Sequence, residues 1–128
     1  MNEQMKDGLV ARRDMELALL TGAKDYLEEY GWCQGLFQNS EGRYCLVGAM
    51  DASRKQYNRE HFGGRRRNSY VRRTAADGAS NLLIEEMGTK GGGRGLVYWN
   101  DAHERTEDEV LKLLDDMIQE RENDDEGS

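Results

Sequence analysis

Trp32 to Val47 reads WCQGLFQNSEGRYCLV, and its conformation decides between a purely helical chain and a mixed one. Its two ends, WCQGLFQ (32–38) and RYCLV (43–47), flank Asn39-Ser40-Glu41-Gly42. Asn and Gly at those positions suit a tight turn. A short β-hairpin is therefore expected. Two strands alone are marginal in water, so this hairpin must pack on helices.

Working outward, the stretch before it is helical. Leu19, Leu20, Ala23, Tyr26, Leu27 and Tyr30 repeat on one face of a helix over 14–30. Gly31 supplies a left-handed stop. On the other side, Cys45-Leu46-Val47-Gly48-Ala49-Met50 can extend the second strand or open a helix. The small residues Gly48, Ala49 and Ala52 favour a closely packed helix over 46–54.

A third helix is expected from Thr74, where Thr74 and Asp77 resemble a capping box with Asp in place of Glu. Ala76, Ala79, Leu83 and Met87 form its stripe, Leu82 and Ile84 flank it, and Gly88 ends it. The glycine-rich run 88–95 reads as a connection. It lacks the order of a phosphate-binding P-loop, although Lys90 and Arg94 stand in it. Leu96-Val97-Tyr98-Trp99 reads as a short buried strand or extended piece. Thr106 and Glu109 make a capping box before a last helix, whose apolar face holds Val110, Leu111, Leu113, Leu114, Met117 and Ile118. The expected class is mainly α with a small β element (α+β): four helices packed with a short hairpin. The expected organisation is a flexible N-terminus (1–13), one globular domain (14–121) with a basic loop at 54–73, and an acidic disordered tail (122–128).

The 128 residues suit one domain with a modest core. The hydrophobic share is 37% against 34% charged, so that core is small and the surface is highly charged. No apolar run approaches the ~20 residues that span a bilayer, and the first residues lack the apolar centre of a signal peptide. A cytoplasmic protein without a membrane partner is expected. Cys33 and Cys45 are expected as reduced thiols. With His61 and His103 they reach four possible ligands, but no C-x-x-C or H-x-x-x-H pair is present, so neither metal nor cofactor is expected.

Charge is distributed unevenly. Between Arg54 and Arg73 stand eight basic residues, Arg54, Lys55, Arg59, Arg65, Arg66, Arg67, Arg72 and Arg73, against one acid, Glu60. That island is +7 in a chain of −7, which leaves −14 on the rest. Such a split suits a surface that meets an anion, or one that meets the chain's own acidic face. The interleaved Tyr57, Phe62 and Tyr70 are placed to stack on bases. The candidate anion- or partner-binding residues are thus Arg54, Lys55, Arg59, Arg65, Arg66, Arg67, Arg72, Arg73 and Tyr70. The net negative charge opposes nucleic acid at long range, but salt screens that repulsion beyond about 8 Å.

A thiol mechanism is the competing chemistry. Cys33 or Cys45 would be the nucleophile, His103 its base, and Asn100 or Asp101 the orienting group. Trp99-Asn100-Asp101 also reads as a binding site or, more simply, as a core indole followed by a side-chain-bonded turn.

Four short motifs carry a resemblance: Gly31-Trp32-Cys33-Gln34-Gly35, Cys45-Leu46-Val47-Gly48-Ala49, Trp99-Asn100-Asp101 and Arg105-Thr106. In order and spacing, over residues 15–118, the chain resembles a family of small actinobacterial and actinobacteriophage proteins of unknown function. The resemblance implies a helical domain closed by a Trp-Asn-Asp turn and a capped helix, and it implies no activity. The arginine-rich stretch 54–73 does not match that pattern. The expectation is a small phage-type accessory or regulatory binding protein, not an enzyme. Its partner would be a host protein with an acidic surface, or nucleic acid. The alternatives are a cysteine-dependent enzyme and an acidic mimic of DNA.

Overall fold

The computed structural model describes residues 2–63 and 73–124, with side chains from 12 onward and up to 123. Five helices follow one another: α1 (Asn2–Tyr30), α2 (Leu46–Phe62), α3 (Ala75–Lys90), α4 (Leu96–Asn100) and α5 (Glu107–Asp124). Among the described residues the fold is all-α, with no β-strand. α1 is the central element and packs on α2, α3 and α5, while α4 bridges α2 and α3.

The core takes one stripe from each helix. Leu19, Leu20, Ala23 and Leu27 come from α1, and Leu46, Ala49 and Met50 from α2. Ala76, Ala79, Leu83 and Met87 come from α3, Leu96 from α4, and Val110, Leu114 and Met117 from α5. Burying each large aliphatic side chain contributes about 1.5–3 kcal/mol. Charged ties close the periphery. Arg121 of α5 bonds Glu16 of α1 (3.2 Å) and Glu86 of α3 (2.8 Å).

The helix ends follow their local chemistry. Gly31 takes a φ of 97° and its N–H donates to Leu27 O (2.9 Å), closing α1. Thr74 and Asp77 form a full capping box on α3. Thr106 and Glu109 do the same for α5, with Thr106 N donating to Glu109 Oε1 (2.9 Å) and Glu109 N to Thr106 Oγ1 (3.2 Å).

Five expectations change. The hairpin is absent. The Asn39–Gly42 turn does form, with Asn39 Oδ1 accepting from Glu41 N and Arg43 N. Pairing is limited to two isolated bridges, both on Tyr44: one parallel to Trp32, one antiparallel to Gln38. Gly35, at φ 87°, turns the chain aside between those bridges, so no run of paired residues builds up. Leu96–Trp99 is not a strand but part of α4, whose Trp99 N donates to Gly95 O (3.1 Å). A four-residue apolar run fits helix and strand equally well. α3 passes through Gly88 to Lys90. Gly88 is buried, and a Cβ there would press on Leu96 N at 3.1 Å, so this glycine admits α4. Finally, α2 continues past residue 54 to Phe62 and stops at Gly63 (φ 85°), so of the two readings of the basic island, a loop or a helix extension, its described start takes the helix extension. At the other end, α1 begins at Asn2 rather than near residue 14.

Candidate anion-binding groove

Helical geometry sorts the basic residues of α2 onto two faces. Arg54 and Asn58, one turn apart, face α3. Arg54 donates to Asp77 Oδ1 (2.7 Å) and to Asp51 Oδ1 (2.6 Å). Asn58 donates to Asp77 Oδ1 (2.9 Å) and accepts from Thr74 Oγ1 (2.8 Å). Burial opposes ionisation of Asp77, yet the bonds from Asn58, Thr74 N and Arg54 outweigh it and hold the carboxyl at about 2. Arg54 is thus engaged by its own chain, clasping α2 to the start of α3.

Lys55 and Arg59, also one turn apart, face the loop of residues 31–45. Lys55 Nζ lies 3.1 Å from Asp51 Oδ2 and the side chain stays 61% exposed. Arg59 is exposed and has no ion-pair or hydrogen-bond partner among the described residues. The two line a groove of about 380 Å³ with Tyr26, Phe37, Tyr44 and Asp51. Arg73 is exposed just before the Thr74 cap. Arg65, Arg66, Arg67, Tyr70 and Arg72 lie outside the described residues.

Tyr57, one of the rings expected beside the arginines, faces away from Lys55 and Arg59. Tyr57 stacks on His61 (centroids 3.9 Å apart) and faces α1. There it lines a second groove, about 350 Å³, with Asp25, Glu29, Glu60 and Tyr30. The carboxylate of Glu29 pushes the Tyr30 phenol up. α2 therefore separates a cationic groove from an anionic one, and Tyr26 lines both.

The ring supplied to the cationic groove comes from the loop instead. Phe37 is 61% exposed, and no ring contact engages it among the described residues. Its backbone is fixed. Phe37 O accepts from Cys45 N (3.1 Å) and abuts Gly48, where a Cβ would overlap it. Gly48 thus lets the loop close onto the first turn of α2.

The thiol arrangement does not assemble. Cys33 Sγ donates to Arg43 O (3.3 Å), and Cys45 Sγ caps α2 by accepting from Gly48 N (3.3 Å). Burial pushes both thiols up, opposite to the activation a nucleophile needs. His103 lines a separate cleft with Glu104, Arg105 and Glu109. Asp101 is occupied by Gly35 N (3.0 Å) and Asn100 Nδ2 (2.9 Å). In the glycine-rich run, Lys90 pairs with Glu120 (2.7 Å) and Arg94 bonds Tyr98 Oη (3.0 Å). No group of His, Cys, Asp or Glu is arranged to hold a metal among the described residues. No helix among them is long and apolar enough to cross a membrane.

What sequence reasoning missed is the extent of Asn100's role. It is fully buried and joins three segments. Its Oδ1 accepts from Trp32 Nε1 (2.7 Å) and Leu46 N (3.0 Å), and its Nδ2 donates to Cys33 O (3.2 Å). Gln34 Nε2 donates to Asn100 O (2.9 Å). Arg105 donates to Trp99 O (2.8 Å) and lies over the Trp99 ring at 4.0 Å. Three of the four sequence motifs thus meet on this one side chain, and the fourth, through Arg105, joins them at the neighbouring Trp99. The advance sign was the place of Asn100 after an apolar run, within the Trp99-Asn100-Asp101 motif.

Fold and groove define a small all-helical domain with charge separated across one helix. The chain belongs to the family of unknown function DUF6197, whose model matches residues 12–120. No curated protein and no solved structure matches it.

Proposed function

We propose that this protein is a non-enzymatic accessory or regulatory binding protein, of phage type and actinobacterial or actinobacteriophage origin, working in the cytoplasm. It acts through its split charge on an anionic partner: the acidic surface of a host protein, or nucleic acid. The observation that carries this reading is Arg59, exposed beside Lys55 in a groove with no acid engaging it among the described residues. Every other described lysine or arginine on the faces of α2 and α3 has an acid nearby: Arg54, Lys55 and Lys90.

The test is retention on immobilised heparin. Wild-type protein is expected to bind and to elute with rising salt. Lys55→Ala/Arg59→Ala is expected to elute earlier. Equal elution of the two proteins would refute the groove as the contact. A second reading, the acidic mimic of DNA, is favoured by the groove of Asp25, Glu29 and Glu60, which no lysine or arginine lines. It predicts capture by a basic DNA-binding protein that Asp25→Asn/Glu29→Gln abolishes.

A further inference from the structure

Two groups with unspent binding capacity face the same groove. The Arg59 guanidinium has no partner and the Phe37 ring has no ring contact among the described residues. Several other such groups are used internally. Arg54 is held by two carboxylates, Arg105 covers Trp99, Arg94 covers Tyr98, and Tyr57 stacks on His61. The Phe37 backbone is held in advance, because it is bonded to Cys45 N and seated against Gly48. With the backbone fixed in this way, only the side-chain torsions remain to be ordered when something stacks on the ring.

We infer that this groove takes one nucleotide unit of a single-stranded nucleic acid, its base against Phe37 and its neighbouring phosphates at Lys55 and Arg59. The inference rests on the anionic-partner reading above and names the partner. The groove's volume of about 380 Å³ falls within the roughly 300–1,000 Å³ range of small-ligand sites. Its one acid, Asp51, keeps Arg54 as a partner at 2.6 Å when Lys55 turns to a phosphate. The exposed Lys55–Asp51 pair yields readily to a phosphate, since such pairs are weak. A duplex hides both faces of every base, whereas a single strand offers a face for stacking. An acidic protein surface would satisfy Arg59 and leave the Phe37 ring idle, so the ring favours nucleic acid over protein.

The experiment is fluorescence anisotropy on the full chain with three labelled probes. They are a single-stranded oligothymidylate of about eight nucleotides, within the range of known site sizes, an abasic oligomer of the same length, and the oligothymidylate paired into duplex. Phe37→Ala is expected to weaken binding of the oligothymidylate about fivefold or more and to leave the abasic oligomer unchanged. Phe37→Tyr is expected to restore binding. The duplex is expected to bind more weakly than the single strand. Lys55→Ala/Arg59→Ala is expected to lower the salt slope of log K by about 1.4, two phosphate contacts on a single strand. The exposure of Phe37 keeps its variants folded, which an unchanged Tm checks. If all probes bind with salt dependence and Phe37→Ala alters none of them, the nucleotide inference fails and the anionic-partner reading stands. If Lys55→Ala/Arg59→Ala alters neither the oligomers nor heparin retention, both fail.

Discussion

The indole N–H of Trp32 donates to the side-chain oxygen of Asn100 at 2.7 Å, across 68 positions of sequence. That oxygen also accepts from Leu46 N, and the amide nitrogen donates to Cys33 O and Asp101 Oδ1. An Asn side chain offers two donors and two acceptor sites, and here all are used. Asn100→Ala would strand a half-buried indole N–H, a helix-start N–H and a carbonyl together. We expect a loss of about 3–5 kcal/mol in equilibrium urea unfolding. Trp32→Phe removes one bond and is expected to cost far less on that account, and a double-mutant cycle of the two would show strong coupling.

Gly48 and Gly78 give the same substitution opposite signs. Alanine is favoured over glycine inside a helix by up to about 1 kcal/mol. At Gly78 nothing lies within 4 Å of the added methyl, so Gly78→Ala is expected to raise Tm. At Gly48 the methyl overlaps Phe37 O, and Gly48→Ala is expected to lose about 1–3 kcal/mol net by forcing the loop away. Thermal melts of the two variants side by side decide it. A rise in Tm for Gly48→Ala would show that the loop is not seated on α2.

Asp77 makes the clasp between α2 and α3 depend on pH. Its folded value of about 2 lies below the ordinary aspartate value of 3.8. Between those values the unfolded chain binds more protons, so stability rises with pH through the window. The contribution is complete above about pH 4 and fades as pH falls from there toward 2. Asp77→Asn is expected to lose about 1–2 kcal/mol at neutral pH and to flatten the stability curve in that acid window. A curve as steep as the wild type's would assign the acid sensitivity to other carboxylates.

Both thiols are expected to react slowly. Burial raises Cys33 and Cys45 above the ordinary thiol range, which lowers the thiolate fraction at neutral pH. Iodoacetamide labelling followed by mass spectrometry should be slower than for a cysteine peptide and should accelerate in urea. Labelling faster than the peptide in the native protein would revive the nucleophile reading.

Local chemistry was the legible part of this fold. The α1 stripe, the Gly31 stop and both capping boxes depend on residues within a few positions of each other, and each formed where the pattern placed it. Short apolar runs were not legible. Leu96–Trp99 carries too few residues to show a period, and the 32–47 stretch is diverted by Gly35 after one pairing. The groove was half legible. Lys55 and Arg59 are i,i+4 neighbours, but that relation appears only once residues 55–62 are known to be helical. Their ring, Phe37, comes from a different segment, while the nearby Tyr57 points to the other side of the helix.

Asn100 has a consequence in time as well as in energy. Its bonds to Trp32 and Leu46 span 68 and 54 positions. Single helices form within about a microsecond, and they can do so while this amide is still hydrated. A chain whose helices exist but have not docked gains nothing from it. The junction therefore rewards only the finished arrangement and widens the gap between that arrangement and its near neighbours. A contact that forms only after the transition state acts chiefly by slowing escape from the native state. Tied in this way, the domain owes its order to the junction of its segments and not to the intrinsic strength of any one helix.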